Sequence, residues 1–302
     1  NRAGGVDFVY RPSNNASVRG MWARTSDAED GDGDAVYVGG SWRNELFQLR
    51  TSSMRIGDNF SPAAGFVQRS GIQRYGVEAR YMPWPRRFGI REVYTGPGAS
   101  FVYDLDGELL TREFSYFAFL RPKVGGSLRA GVDNTYEYLE KDFEIRDGIV
   151  IPAGEYTSNG FSGGIGTEDG RAVGIEVRGN LTEFFGGNRT SVGTGLSLRP
   201  SAHLGVETRY SFNHVDLPAG SFSASILSSR LDYTLTTDLF AKLFAQWNSD
   251  SEVVAINFLL NFIYMPGSDF FLAFNQTYDY SGVTTELVDS AVVAKMTYWW
   301  NP

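Results

Sequence analysis

The sequence predicts an all-β fold, an antiparallel up-and-down transmembrane β-barrel with about 16–18 strands. Three observations lead to it: polar and apolar residues alternate at every second position, the alternating segments are long, and their connectors fall into two classes. The composition agrees, because 35 glycines, 22 phenylalanines, 16 tyrosines and 6 tryptophans favour many strands joined by tight turns. We expect residues 1–302 to form this single barrel domain.

The alternation is clearest between residues 74 and 81. One face of this segment carries Tyr75, Val77 and Ala79, and the other carries charged side chains. A helix would mix the two sets, because residues i and i+2 lie on roughly opposite sides of a helix. In a membrane barrel the apolar face contacts lipid and the polar face lines the lumen. The pattern therefore predicts strands with two chemically distinct faces.

About seventeen such segments follow one another, and many are about ten to fourteen residues long. A tilted membrane strand needs about 9–11 residues, whereas strands of soluble proteins average about five or six. The segments match the membrane length. A soluble all-β protein is the alternative.

The connectors between segments form a short set and a longer, more acidic set. The short set comprises residues 11–14, 83–86, 121–123, 199–201 and 265–269. The long set comprises residues 27–34, 58–71, 141–156, 216–222 and 281–290. Outer-membrane barrels have short periplasmic turns and longer extracellular loops. With seventeen strands and a periplasmic C-terminus, the first strand would begin outside the cell. Single-chain bacterial barrels normally have an even number, so either one strand assignment is wrong or an upstream strand is missing.

The last segment, residues 291–300, is predicted to be an amphipathic strand. Met296, Tyr298 and Trp300 share its apolar face. A terminal aromatic residue on such a strand resembles the signal that the outer-membrane assembly machinery reads. We therefore expect these three residues to form the assembly signal.

Two stretches resemble a known family. They are residues 57–69, GDNFSPAAGFVQR, with GIQRY at 71–75, and residues 264–275, YMPGSDFFLAFN. Both are similar to the C-terminal barrel, a domain of unknown function, of bacterial outer-membrane proteins that carry a carbohydrate-binding family-9-like module before it. The resemblance implies an outer-membrane location and no established activity. It also implies that the barrel is the C-terminal part of a longer protein with additional early strands.

The polar faces of the segments carry charges that we expect to line the lumen. Opposite charges recur two residues apart, as in Glu207 and Arg209, which brings them near each other and near cross-strand partners. A charged constriction that selects solutes is one interpretation. A hydrated wall of mutually neutralising pairs is the other, and it is the interpretation the sequence favours. The residues concerned are Arg74, Glu78, Arg80, Arg129, Asp133, Glu137, Glu176, Arg178, Glu207, Arg209, Arg230, Asp232 and Lys242.

An acidic run, Asp30, Asp32 and Asp34, has the oxygen density of a calcium loop. The twelfth position from Asp30 is Ser41 rather than the glutamate of an EF-hand. A flexible acidic extracellular loop is the favoured interpretation, with a calcium ion as the alternative. No other cofactor is expected.

Several function classes are disfavoured by composition. The chain has no cysteine and two histidines, which removes thiol chemistry and leaves little room for histidine catalysis, so we expect no enzyme activity. A net charge of −8 disfavours nucleic acid as a partner. The expected partners are outer-membrane lipid, lipopolysaccharide, the assembly machinery and other envelope proteins.

The size of the barrel leads to two candidate functions. Barrels of about 16–18 strands enclose a lumen that side chains do not fill, which favours a pore or gated conduit for a solute or polymer. The alternative is a structural or docking barrel with a plugged lumen that anchors a periplasmic binding module or a secretion-type assembly. The segment 141–156, with the apolar run Ile149, Val150 and Ile151, is the candidate plug.

Overall fold

A computed structural model describes residues 1–27, 31–63, 65–85, 87–167 and 170–300, and these residues form nineteen β-strands. Within these ranges no helix is long and apolar enough to cross a membrane. The strands are β1 (Arg2–Ser13), β2 (Ala16–Asp27), β3 (Gly31–Arg43), β4 (Phe47–Ile56), β5 (Ile72–Tyr81), β6 (Ile90–Asp104), β7 (Leu109–Pro122), β8 (Ser127–Leu139), β9 (Phe143–Arg146), β10 (Ile149–Ile151), β11 (Gly154–Gly166), β12 (Val173–Phe184), β13 (Gly187–Leu198), β14 (Leu204–Leu217), β15 (Gly220–Thr234), β16 (Leu239–Asn248), β17 (Val253–Met265), β18 (Ser268–Asp279) and β19 (Glu286–Thr297).

Seventeen of the strands form one large antiparallel sheet. Each strand from β1 to β8 pairs with the next, β8 pairs with β11, and the meander continues to β19. The remaining strands, β9 and β10, pair only with each other as a small hairpin. The predicted all-β, antiparallel, up-and-down arrangement of 16–18 strands is confirmed.

The alternation in sequence becomes the two faces of this sheet. In the β14–β15 pair, Val206 lies opposite Leu231, and one residue further Glu207 lies opposite Arg230. Apolar residues therefore meet apolar residues on one face, and charges meet charges on the other. A register slip of one residue would mix the two faces, so the alternation also specifies the register.

The two terminal strands of the sheet are exposed. In the described part of the chain, β1 pairs only with β2, and β19 pairs only with β18. Every residue of β1 is exposed, as are all residues of β19 except its last. Because the sheet has an odd number of strands, β1 and β19 run in the same direction. Direct pairing between them would be parallel, unlike every other pair in the sheet.

The connectors define two ends of the sheet. The long-loop end carries residues 57–71 and 140–153, and the short-turn end carries the β1–β2 and β17–β18 turns and the C-terminus of β19. Two predicted long loops are wrong. In 216–222, β14 continues to Leu217 and β15 starts at Gly220, so only two residues form the turn. In 27–34, β3 already begins at Gly31, and residues 28–30 lie outside the described ranges.

The C-terminal strand ends earlier than predicted. β19 includes Met296 and stops at Thr297, so Tyr298 and Trp300 lie beyond it. Its partner β18 begins at Ser268, one residue before the partner of Thr297, so Trp299 and Trp300 have no β18 residue opposite them. Instead, the backbone N–H of Trp299 donates a hydrogen bond to Ser268 Oγ at 2.8 Å.

Candidate functional site

Two cavities open on the polar face of the sheet. One, of about 400 Å³, lies over β6–β8 and β11–β14, and its lining includes Arg129, Glu176 and Arg209. The other, of about 590 Å³, lies over β2–β7, and its lining includes Arg50 and Glu78. The polar face is therefore the concave side, which corresponds to the lumen of a barrel.

The strand registers place all of the charged residues selected from the sequence on this polar face. Glu207 and Arg209 of β14 line the first cavity, and Asp133 and Glu137 of β8 line a third one near the long-loop end. Arg74 of β5 shares its face with Glu78 and Arg80, which follow it at even spacings. The same face carries Arg129, Glu176, Arg178, Arg230, Asp232 and Lys242.

Glu176 of β12 contacts two arginines. Its carboxylate lies 3.0 Å from Arg129 Nη1 and 2.8 Å from Arg178 Nη2. Arg129 belongs to β8, so its side chain crosses the intervening strand β11 near Gly164 and Gly166. A β-carbon added at Gly164 would lie 3.3 Å from the Arg178 side chain. The glycines of β11 therefore leave room for an ion pair between strands that are not neighbours.

The same two-to-one arrangement recurs at Glu207 and Glu92. Glu207 lies 3.4 Å from Arg209 Nη2 and 4.0 Å from Arg199 Nη2. Glu92 lies 3.4 Å from Arg121 Nη1, and Arg91 is 3.9 Å from its other carboxylate oxygen. Each of these carboxylates is thus shared by two guanidinium groups.

Three of these residues, Arg121, Arg199 and Glu92, were not predicted from the sequence to line the lumen. Arg121 and Arg199 both precede proline and were assigned to short turns, whereas β7 in fact includes Arg121 and continues to Pro122. The alternation of side chains along the strand could have placed Arg121 on the polar face. Arg121 lies two residues after Phe119 and eight after Glu113, on the same polar face.

Ion pairs also occur elsewhere on the polar face. Glu78 contacts its neighbour Arg80 and, at 3.6 Å, Arg50 of β4. Lys242 of β16 lies 3.9 Å from Asp232 of β15. All of these side chains are at least partly exposed, so the pairs lie in a solvated environment where an individual pair contributes about 1 kcal/mol or less.

The β9–β10 hairpin packs on the polar face at the long-loop end. Ile151 is only 3% exposed and packs with Val215 and Leu217, which share the face of Glu207 and Arg209. Burying this apolar cluster stabilises the inward position of the hairpin. The segment 141–156, the candidate plug in the sequence, therefore folds onto the polar face.

An ion pair connects the hairpin to a distant part of the rim. Arg146 Nη2 lies 3.0 Å from Asp250 Oδ1, which belongs to the β16–β17 connector. The Arg146 guanidinium also lies over the Phe222 ring of β15, 5.2 Å from its centroid. The hairpin thus extends along the long-loop end, from the β8–β11 connection to the β16–β17 connector.

Arg146→Ala is expected to loosen the hairpin without unfolding the sheet. The pair is exposed, so its loss should lower the free energy of unfolding by about 1 kcal/mol or less. Amide hydrogen exchange in residues 143–151 should become faster, because that pair and the Phe222 contact anchor the hairpin. The control is Arg24→Ala, which removes a pair with Asp32 (2.7 Å) elsewhere on the rim. Unchanged exchange in Arg146→Ala would contradict the anchoring role.

Asp32 and Asp34 were predicted to lie in an acidic loop, but the structure places them in a strand. Both lie in β3, and Asp30 lies outside the described ranges. Asp32 contacts Arg24, and Asp34 lies 3.6 Å from Arg55 Nη1. Cross-strand arginines thus neutralise these two carboxylates. No group of three or more acidic or histidine side chains able to hold a metal ion occurs within the ranges described above.

A row of polar side chains interrupts the apolar face near the long-loop end. Arg112 of β7 shares this face with Phe114 and donates a hydrogen bond from Nη2 to Asn134 Oδ1 (3.3 Å). Asn134 donates to Asn159 Oδ1 (2.9 Å), and Asn159 donates to Glu183 Oε2 (2.8 Å). Alternation alone did not reveal this row, because its members belong to four different strands.

Exposed hydrophobic side chains form most of the remaining apolar face, outside this row and the Arg24–Asp32 and Asp34–Arg55 pairs. Val77 is 44% exposed, and Phe161 and Leu181 exceed half. Such a continuous apolar surface is costly in water. It matches the lipid-facing band of a membrane barrel, which the sequence predicted for Tyr75, Val77, Ala79, Val206, Tyr210, Phe258, Leu260 and Met296.

No protein-family model and no curated protein sequence matches this chain. Among solved structures, the fold is similar to that of "Copper transporter OprC", with a TM-score of 0.50 and 11% identity over 97% of this chain and 62% of that one. Weaker similarities reach a "Bacterial polysaccharide outer membrane secretin" (TM-score 0.44, 11% identity, 93% and 96% coverage) and the ferric-catecholate import receptor Fiu from E. coli K12 (0.43, 10%, 97% and 71%).

The similarity to OprC concerns the fold. This chain spans less than two thirds of the OprC chain. Together with the meander of seventeen antiparallel strands, the similarity shows that the chain has the fold of an outer-membrane β-barrel, as predicted from the sequence.

Proposed function

We propose that this barrel is an integral protein of the bacterial outer membrane and that its lumen is a conduit for a solute or polymer. The observation that carries the proposal is the division of the sheet into two faces. Arg129, Glu176 and Arg209 line a cavity on one face, and Val77 and other exposed apolar side chains form the other. A sheet with this division suits lipid outside and water inside.

The proposed orientation puts the short-turn end and the C-terminus in the periplasm. Outer-membrane barrels have their short turns there and their longer loops outside. The β9–β10 hairpin then covers part of the extracellular mouth. Lipid and lipopolysaccharide are the proposed surroundings, and the assembly machinery is the proposed reader of Met296, Tyr298 and Trp300. The proposal assigns the chain no catalytic activity.

OprC is named as a copper transporter, and only the general role of transport is carried over to this chain. The hairpin favours a second version, in which the lumen is restricted and the barrel serves mainly for docking. Its apolar side is buried on the polar face, as expected for a segment that occupies the mouth. The two versions differ in whether ions cross the barrel.

Planar-bilayer recording of the purified, refolded protein tests the conduit. We expect stable conductance steps, reduced by the hairpin relative to an unobstructed barrel of this size. The matched control is an equal amount of detergent from a preparation without protein. If neither the intact protein nor a variant without residues 143–151 conducts, the conduit is wrong and the docking role becomes the better account.

A further inference from the structure

The charges on the lumen wall near the short-turn end are not balanced. We define the arginine cradle as Arg121, Arg129, Arg178, Arg199 and Arg209 with the carboxylates of Glu92, Glu176 and Glu207. Five arginines share three glutamates, and Arg91 approaches Glu92 from outside this set. The chain as a whole has a net charge of −8, so a positive excess here runs against the overall composition.

The positive groups of the cradle are more accessible than the negative ones. The Glu92 side chain is 13% exposed, against 41% for Arg121, with which it pairs. The Glu207 side chain is 36% exposed, against 71% for Arg209. The carboxylates therefore lie beneath the guanidinium groups and orient them. Arg121, Arg129, Arg199 and Arg209 line the cavity, and Arg178 lies beside it, where it lines a neighbouring cavity with Glu176 and Arg209.

The surroundings hold the guanidinium groups in place and leave space above them. The Phe119 ring lies 5.4 Å from the Arg121 guanidinium and 5.5 Å from that of Arg129. Aromatic faces attract such cations and restrict their positions. The other residues that line the cavity include small ones, namely Gly126, Ser127, Gly166, Gly174, Gly195 and Ser197. Small residues keep a volume of about 400 Å³ open beside the cations.

Arginine chemistry determines what this cavity can bind. A guanidinium group stays protonated at any physiological pH and carries five N–H donors in a fork that matches a carboxylate or phosphate. In the described chain, the Arg209 side chain uses one nitrogen on Glu207. The other N–H donors of Arg209 therefore remain free to bind a ligand. A wall of one-to-one ion pairs would leave fewer donors for a ligand.

We propose that the arginine cradle is a binding site for an anionic solute that carries carboxylate or phosphate groups. The proposal deepens the conduit function, since it rests on a lumen that such a solute can enter. It replaces the neutralised wall that the sequence favoured, because five arginines share three glutamates.

A binding measurement tests the cradle without relying on conduction. The refolded protein in detergent, at low ionic strength, is titrated by calorimetry with citrate and, separately, with inorganic phosphate. We expect saturable binding of at least one of them. The double variant R129Q/R209Q should weaken binding about tenfold or more, because both arginines line the cavity and each substitution removes a charged hydrogen-bond donor. Preference for citrate would identify carboxylates as the ligand class, and preference for phosphate would identify phosphoryl groups.

The control variant is Arg24→Gln, which removes an arginine paired with Asp32 outside the cradle and should leave the affinity unchanged. Thermal unfolding of each variant checks that the barrel remains folded. Absence of binding by both anions to the wild-type protein would overturn the proposal, and so would equal affinities of the wild type and the double variant.

A second readout separates the cradle from the conduit. In a bilayer with a KCl gradient, the reversal potential of the wild type should indicate preference for chloride over potassium, and R129Q/R209Q should reduce that preference. Binding without any conductance supports the cradle and counts against the conduit. Conductance without anion binding, and with the same reversal potential in both proteins, supports the conduit and overturns the cradle.

Discussion

Val77→Arg is expected to lower the free energy of unfolding by about 2–4 kcal/mol, the cost of an arginine near the bilayer midplane on a lipid-facing barrel site. Val77 lies at the middle of β5, on the apolar face between Tyr75 and Ala79. It pairs with Thr51 on one side and Ala99 on the other, so no carboxylate lies directly opposite it. Urea titration of the protein refolded in lipid vesicles, followed by tryptophan fluorescence, measures the change.

The matched control is Ser100→Arg, on the neighbouring strand β6. Ser100 lines the cavity on the polar face and lies opposite Gly76. An arginine there enters a hydrated space that already holds Arg50 and Glu78, so its cost should be well below that of Val77→Arg. Similar losses at both positions would contradict the assignment of the two faces.

Replacing residues 143–151 by a short glycine-rich turn is expected to raise the single-channel conductance about twofold or more, since it removes the element that narrows the mouth. The hairpin contributes Ile149 and Ile151 to the cluster on the polar face, and its Arg146 reaches Asp250 in the β16–β17 connector. The neighbouring strands β8 and β11 pair with each other independently of it. The sheet should therefore remain intact.

A deletion within residues 281–284, the exposed connector between β18 and β19, serves as the control and should leave the conductance unchanged. Equal conductance of the wild type and the variant without the hairpin would show that the hairpin does not restrict the passage. An equal increase in both variants would show that the effect comes from general loosening of the rim.

The faces of the sheet could be predicted from the sequence because a strand presents alternate residues to opposite sides. Alternation along β14 alone places Glu207 and Arg209 on one face with Gly205 and Ser211, whatever the neighbouring strands are. The inward position of the hairpin was also foreseeable, since the run from Ile149 to Ile151 is costly to leave in water. These conclusions depend on local patterns alone.

Other features depend on which strands become neighbours. Arg129 and Glu176 are 47 residues apart and meet only because β11 carries glycines between them. Asp32 looked like part of an acidic loop until its cross-strand partner Arg24 was known. The connector at 216–222 was predicted to be long, whereas the cross-strand pairing of β14 and β15 continues up to a two-residue connection.

The most direct test of the central claim is the environment of the side chains along β5. The chain has no cysteine, so single cysteines can be placed at each position from 75 to 80 without altering the rest. In the protein reconstituted into vesicles, each is reacted with a water-soluble maleimide and, separately, labelled with a fluorophore whose quenching by lipid-attached nitroxides is recorded. We predict strict alternation, with maleimide reaction at 76, 78 and 80 and lipid quenching at 75, 77 and 79. Uniform maleimide reaction along the strand, or lipid quenching at 78 and 80, would contradict the assignment of one face to lipid and the other to the lumen.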